Sequence, residues 1–321
     1  MEFAEQRKST RTSSLRLISL GGAVLFLFLS IQFFAPTRAD LWWQVFFEAL
    51  HAPIFGLIAV CLLAMTPSTW HLQGRLIISI AATFLLAIMS EAVQIPMPNR
   101  SASLGDLLND MVGALAVISA AVVLSPNFPV PPGRGRWLIL LAAVLLVWPL
   151  KPLASVSAAY WERYEQLPSI APLDSRNSHL FYHLNNATVR FVSPDDRAGI
   201  APEFHFKKTG SSSIDFHDPW SDWRTNQALV LDVDNLDSKT LPLTIRIHDE
   251  AHLIGDQPHE DRFNRRLDLA PGRQSITIDL AEVEQAPDGR GMDMGHIDGL
   301  VLFGTEREAG SRFVIHDIRL E

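Results

Sequence analysis

Nearly all the long apolar runs of this chain fall before Pro152, and that asymmetry constrains its fold more than any other feature. Five candidate spans stand out, at residues 15–34, 45–65, 76–93, 104–124 and 137–150. A helix needs about 20 apolar residues, with a range of roughly 17–25, to cross a bilayer. The first four runs meet that length. The fifth is short and contains Pro149, but Arg136, Trp137, Trp148 and Lys151 bracket it as interfacial anchors do; the alternative is a re-entrant or interfacial segment, which would reverse the orientation of the C-terminal half. The first run follows Arg7, Lys8, Arg11 and Arg16, as the core of a signal peptide would. It is longer than an h-region of about 7–15 residues, and no small-residue cleavage site precedes Pro36, so it is expected to stay as an anchor.

Orientation follows from the short loops. Five crossings from a cytoplasmic N-terminus put Arg7, Lys8, Arg11, Arg16, Arg75, Arg134 and Arg136 inside. Only Arg38, Arg100 and Lys151 then lie near the outer face, which satisfies the positive-inside rule. The expected location is a bacterial inner membrane, with the C-terminal half exported to the periplasm. Charge divides the same way: residues 1–171 carry a net charge of +2 and residues 172–321 a net charge of −10. An acidic exported half argues against nucleic acid and against electrostatic docking on anionic lipid. Cys61 is the only cysteine and lies within the second span, so the exported half must be held by its core without disulfides.

Ionisable groups at the edge of a bilayer are costly and by default mark function. With this topology, Glu48 and His51 open the second span and Glu91 and Gln94 close the third, each pair three residues apart. Asp106, Asn109, Asp110 and Gly113 follow the i, i+3, i+4, i+7 pattern of one helix face at the start of the fourth. Pro96 and Pro98 are expected to end the third helix, and Ser103 with Asp106 resembles a capping box. Together with Arg100 these groups fall near one depth in the outer leaflet, where they can converge on one polar pocket. A purely structural role is the competing account: Arg100 pairs with a carboxylate, and Gln94, Asn109 and His51 tie helices together.

The set His51 with Phe55, Ser90-Glu91-x-x-Gln94, Asn99-Arg100, Asp106 and Asn109-x-x-x-Gly113 resembles the VanZ-like membrane protein family. The resemblance covers residues 15–125. It implies a four-helix envelope protein whose motif residues are His51, Glu91, Gln94, Arg100, Asp106 and Asn109. The family's prototype is associated with teicoplanin resistance. Glu48 stands where a lysine is frequent in the family, and Pro96 and Pro98 alter its usual loop.

The remaining chain reads as a cytoplasmic tail (1–14), a loop with the fifth span (126–152), a Pro-punctuated linker with a short helix near 158–166 (153–174) and a β domain (175–321). Candidate strands are 188–192, 203–206, 213–216, 229–233, 243–248, 263–267, 275–279, 299–303 and 313–320, separated by turns such as Pro271-Gly272, Asp288-Gly289 and Ala309-Gly310. The fold class is therefore a helical integral membrane domain of about five spans followed by an all-β sandwich. The runs Arg262-Phe-Asn-Arg-Arg266, Leu269-Ala-Pro-Gly272 and Phe313-Val-Ile-His-Asp-Ile-Arg-Leu320 resemble galactose-binding-like jelly rolls. That resemblance implies glycan binding and admits a structural calcium.

Trp220 and Trp223 are the candidate sugar-stacking residues, with burial as the competing account. The segment His248-Asp-Glu-Ala-His252 with His259-Glu-Asp261 holds metal-ligating residue types without a tight metal spacing, so no metal is expected there. No phosphate-cradling Gly-rich loop, G-x-S-x-G elbow, CxxC pair or internal repeat occurs. Asn186-Ala-Thr188 fits a glycosylation sequon.

These features support an envelope protein with an outer-leaflet pocket and a sandwich that binds a cell-surface or exopolysaccharide glycan, in contact with membrane lipids. Two alternatives stand beside it. One is an enzyme acting on a lipid-linked or glycopeptide substrate, with His51 as base, Glu91 or Asp106 as its partner and Arg100 on a phosphate or carboxylate. The other is a non-catalytic subunit that joins envelope-assembly partners in polysaccharide export.

Overall fold

The computed structural model describes residues 2–33, 40–96, 103–125, 131–193, 199–207 and 209–321, with backbone alone for 2–13 and 132. The chain divides into two compact units between Val156 and Ser157.

The first unit contains α1 (Glu2–Phe33), α2 (Leu41–Met65), α3 (Leu72–Gln94), α4 (Leu104–Leu124) and α5 (Pro132–Val147). Among the described residues, five helical segments are long and apolar enough to cross a membrane: Ser14–Phe33, Leu41–Met65, Leu72–Gln94, Leu104–Leu124 and Gly133–Glu165. The last is longer than the 14-residue run visible in hydropathy. Its helix passes from α5 through a 3-10 turn at Trp148–Leu150 into α6 (Lys151–Glu165). Pro149 does not break it, because the proline lies in the first turn of the tight segment, where a missing N–H is least costly. The residues expected to form a linker are thus helical to Glu165.

Helices α2 and α4 approach so closely that side chains are excluded at two points. A Cβ on Gly113 would lie 1.8 Å from the Ala52 carbonyl oxygen, and one on Gly56 would lie 2.3 Å from Val117 Cγ2. Small residues permit such backbone approach in membranes, where packing and hydrogen bonds hold helices together. Ala52 follows His51, and Gly113 is about one turn beyond Asp110, so this crossing sets the distance between those two polar residues.

The second unit is a jelly-roll-like sandwich of two five-stranded antiparallel sheets. One has the order β1 (Tyr182–Asn185), β4 (Ser212–His217), β9 (Ile297–Gly304), β6 (Leu241–Asp249) and β7 (Phe263–Leu269). The other has the order β2 (Ala187–Val192), β3 (Ala201–Phe206), β10 (Arg312–Leu320), β5 (Ala228–Asn235) and β8 (Gly272–Asp279). Alternation puts Ile214, Phe216, Leu300 and Leu302 of one sheet in a common core with Phe204 and Phe313 of the other. All nine expected strands are present within longer ones. The tenth, β1, spans only four residues and turns at once through Asn186, whose φ of 52° is left-handed. Two short helices, α7 (Glu250–Ile254) and α8 (Leu280–Glu284), follow β6 and β8. The Pro-flanked stretch before β1 belongs to the sandwich. Ile170 and Leu173 are buried, and Ile170 N donates to Ile318 O of β10 at 2.8 Å.

Candidate functional site

Among the helices, polar side chains from α1, α2, α3 and α4 are buried. His51 Nδ1 lies 3.1 Å from Asp110 Oδ1, and the two side chains are 6% and 0% exposed. Gln32 Nε2 of α1 donates to Ser90 Oγ of α3 at 2.6 Å, with both residues buried. Ser103 caps α4, its Oγ accepting from Gly105 N at 3.0 Å and Asp106 N at 3.4 Å. The reciprocal half of that cap comes from another helix: Glu91 Oε2 accepts from Ser103 N at 2.6 Å. Glu91 thereby ties the end of α3 to the start of α4. Among the described residues, Asp110 Oδ2, Gln94 Nε2 and Gln32 Oε1 are buried without a hydrogen-bond partner. Buried polar groups are nearly always paired, so each such atom asks for a reason.

His51, Gln94 and Asp110 are buried; Glu91, Asp106 and Asn109 are half-buried at the same end of α3 and α4. Glu48 is exposed, because three residues is about 60° short of a full turn and places it on the flank of α2. Arg100, Asn99 and Pro98 lie outside the described residues. The partner of His51 is Asp110, where the enzyme alternative expected Glu91 or Asp106. Gln32 went unnoticed in the sequence, since a single glutamine near the end of an apolar run has no partner within its own helix.

A second cluster lies on the outer face of the sheet β1-β4-β9-β6-β7. A cavity of about 170 Å³ is lined by Asp215 and His217 of β4, Arg246 and His248 of β6, Asp298 and Gly299 of β9, and His252, Leu253 and Gln257 of the α7 segment. Register explains the convergence: Asp215, Val301 and Arg246 lie side by side across three strands, and His217, Gly299 and His248 form the next row. Gly299 makes room for the His248 ring, since a Cβ there would lie 2.6 Å from its Cε1. His248 Nε2 is 3.6 Å from Asp298 Oδ2, and the rings of His248 and His252 are 5.5 Å apart. His248 Nδ1 and Arg246 Nε are buried and have no hydrogen-bond partner among the described residues.

An ionic network holds the wall formed by α7. Asp249 is fully buried and accepts from Arg290 Nη1 at 2.5 Å, Arg290 Nη2 at 2.8 Å, Asp293 N at 2.7 Å and His252 N at 3.0 Å. Burial alone would raise its carboxyl, but these bonds outweigh burial and bring it down to about 2. Arg290 Nε also bonds Asp261 Oδ1 at 2.5 Å, and Asp261 Oδ2 lies 3.3 Å from His252 Nδ1. Burial holds His252 below its ordinary value against the opposing pull of Asp261. Arg246 is also depressed, first by burial and then by the neighbouring Arg262, with Asp215 opposing.

The two tryptophans separate. Trp223 is fully buried and its Nε1 donates to Trp220 O at 2.5 Å, so its ring packs in the core and presents no face to a sugar. Trp220 is half-buried against the same core. His248 and His252 meet in the cavity, but no group of three or more His, Cys, Asp or Glu among the described residues is arranged to hold a metal. The sequon residue Asn186 uses its side-chain amide in the turn, donating to Thr209 O at 2.5 Å and Ser211 O at 3.1 Å.

No protein-family model and no curated protein matches the chain. Among solved structures, the family 11 carbohydrate-binding module from Clostridium thermocellum in complex with a β-1,3-1,4-mixed-linked tetrasaccharide is similar at 14% identity and a TM-score of 0.35, over 43% of this chain and 86% of that one. An exo-β-agarase is similar at 15% identity and a TM-score of 0.35, over 44% of this chain and 22% of that one. The family 30 carbohydrate-binding module of a Clostridium thermocellum cellulosomal cellulase is similar at 13% identity and a TM-score of 0.32, over 42% of this chain and 82% of that one.

Proposed function

We propose that this is a membrane protein that holds a glycan on the outer face of its sheet β1-β4-β9-β6-β7. The observation that carries this reading is the cavity on that face, where carboxylate, imidazole and guanidinium groups converge beside Val301 and Phe303, which share its strand face. Sugars ask for that combination: hydroxyl groups bond to Asp215, Asp298, His217 and His248, while a ring's C–H face lies on apolar surface. Trp220 is a proposed flanking contact. Gly299→Val should push the His248 ring into the cavity and abolish binding to an array of envelope polysaccharides, measured with the full chain in nanodiscs. Binding that survives the substitution would move the glycan elsewhere or remove it.

On this reading the helical unit belongs with the VanZ-like proteins, lipids surround it, and the sandwich faces the periplasm of a cell envelope. Exopolysaccharide handling, assembly with export subunits and glycopeptide resistance are narrower forms of the proposal. Teicoplanin susceptibility of cells with and without the chain tests the last of these.

A second reading rests on the distance of 3.1 Å between His51 and Asp110. A histidine oriented by a buried carboxyl is the arrangement of a general base, which would act on a lipid-linked substrate at the membrane surface. In a double-mutant cycle, His51→Leu and Asp110→Leu should each lower thermal stability more than the double variant does, since each single change strands a buried polar partner. Substrate turnover retained by His51→Leu would dismiss catalysis while leaving the packing role.

A further inference from the structure

We infer that the sandwich cavity, on its β6–β7 side, takes an oxyanion carried on its glycan, the carboxylate of a uronic acid or a sugar sulfate, held between Arg246, which lines the cavity, and Arg262 beside it. This rests on the glycan-binding reading and names the chemical class of the ligand.

Arg246 projects from β6 into the cavity, and Arg262 lies just before β7, across from His248 in the continued register of that strand pair. Both guanidinium groups are half-buried, and the Nε atoms of both are buried without a hydrogen-bond partner. Among the described residues neither makes an ion pair within 4.0 Å, although Asp215 lies on the strand beyond β9 and Asp261 adjoins Arg262 in sequence. Asp261 is taken up by Arg290 and His252, and Asp249 is saturated by Arg290 and two backbone N–H groups. Those two carboxylates are therefore committed elsewhere, while Asp215 and Asp298 line the cavity without an ion pair to either arginine within 4.0 Å among the described residues. Two like charges brought together and partly desolvated raise the free energy of the site, and a desolvated guanidinium without a partner is rarer still. An oxyanion supplies what both lack: a planar acceptor pair for the fork of N–H donors, and a negative charge between two positive ones. His248, whose buried Nδ1 has no partner, and His217 stand in the neighbouring row to receive sugar hydroxyls. Neutral sugars would leave the charge pair as it is.

The test uses the full chain in nanodiscs and isothermal titration with two matched pairs. Hexagalacturonate is compared with its methyl ester, and a carrageenan hexasaccharide with its desulfated form. At least one charged member should bind roughly tenfold or more tighter than its neutral partner, a difference of about 1.4 kcal/mol, and which pair responds identifies carboxylate or sulfate. Arg246→Gln and Arg262→Gln should each erase that difference, Arg246→Lys should restore part of it, and the exposed Arg266→Gln should leave it intact. Thermal melts of the variants separate lost binding from lost folding. Equal binding of charged and neutral members would overturn the oxyanion and leave a neutral glycan site standing. Binding of no oligosaccharide, alongside arginine-dependent binding of inorganic phosphate, would overturn the glycan reading itself. Binding of neither would overturn both.

Discussion

Asp249 shows how much one side chain can organise. Its two oxygens receive four hydrogen bonds from three residues, and one of them, His252, lines the cavity. Because its carboxyl titrates at about 2 in the folded chain, against an ordinary value of 3.8, folding favours the ionised form. That stabilisation is fully present above about pH 4 and is lost as the pH falls through about 2, a contribution on the order of 2 kcal/mol. Hydrogen-exchange protection of β6 and β9 peptides in the full chain, relative to intrinsic exchange at each pH, should therefore fall between about pH 4 and pH 2. In Asp249→Asn the protection should be lower at neutral pH and should no longer change across that window. An unaltered acid profile in the variant would mean that other carboxyls govern it.

At the scale of elements, the crossing of α2 and α4 is the feature most open to a single substitution. Gly113→Val places two methyl groups where the Ala52 carbonyl already lies, and overpacking of this kind costs about 1–3 kcal/mol or more. The expected result is a large fall in the melting temperature in detergent and separation of His51 from Asp110. A melting temperature within a degree of the parent would show that the helices do not meet there. Most elements were legible in the sequence for simple reasons. Twenty apolar residues in a row have few folds open to them, and strands such as β5, β6 and β9 alternate cleanly between core and surface. The candidate sites were less legible, since each depends on non-local pairing. Asp110 and His51 are 59 residues apart, and Gln32 and Ser90 are 58 apart. His248 and His252 drew notice as metal-ligating types, but Arg246 and Asp298 look like ordinary surface charges until strand register brings them together. Trp223 carried the opposite lesson. An indole in a turn between strands reads equally well as a sugar platform or as a core plug, and only burial distinguishes the two.

For the whole molecule, the five helical segments among the described residues that are capable of crossing a membrane carry a consequence of parity: if all five cross, Glu2 and Glu321 lie on opposite faces. With the basic residues inside, alkaline phosphatase fused after Glu321 should be active in cells, and green fluorescent protein at the same point should be dark. The reverse pattern would mean that one segment lies along the surface, and it would place the cavity on the cytoplasmic side. The order of strands bears on time as well as on space. β9 and β10 are the last two strands of the sandwich in chain order, yet each is the central strand of its sheet, joining β4 to β6 and β3 to β5. A nascent chain that has not reached β9 holds only separated ribbons with bare inner edges, the state most prone to mispairing. Closure of both sheets thus waits for the last strands: a chain that stalls before them leaves no partly working sandwich, only substrate for proteolysis.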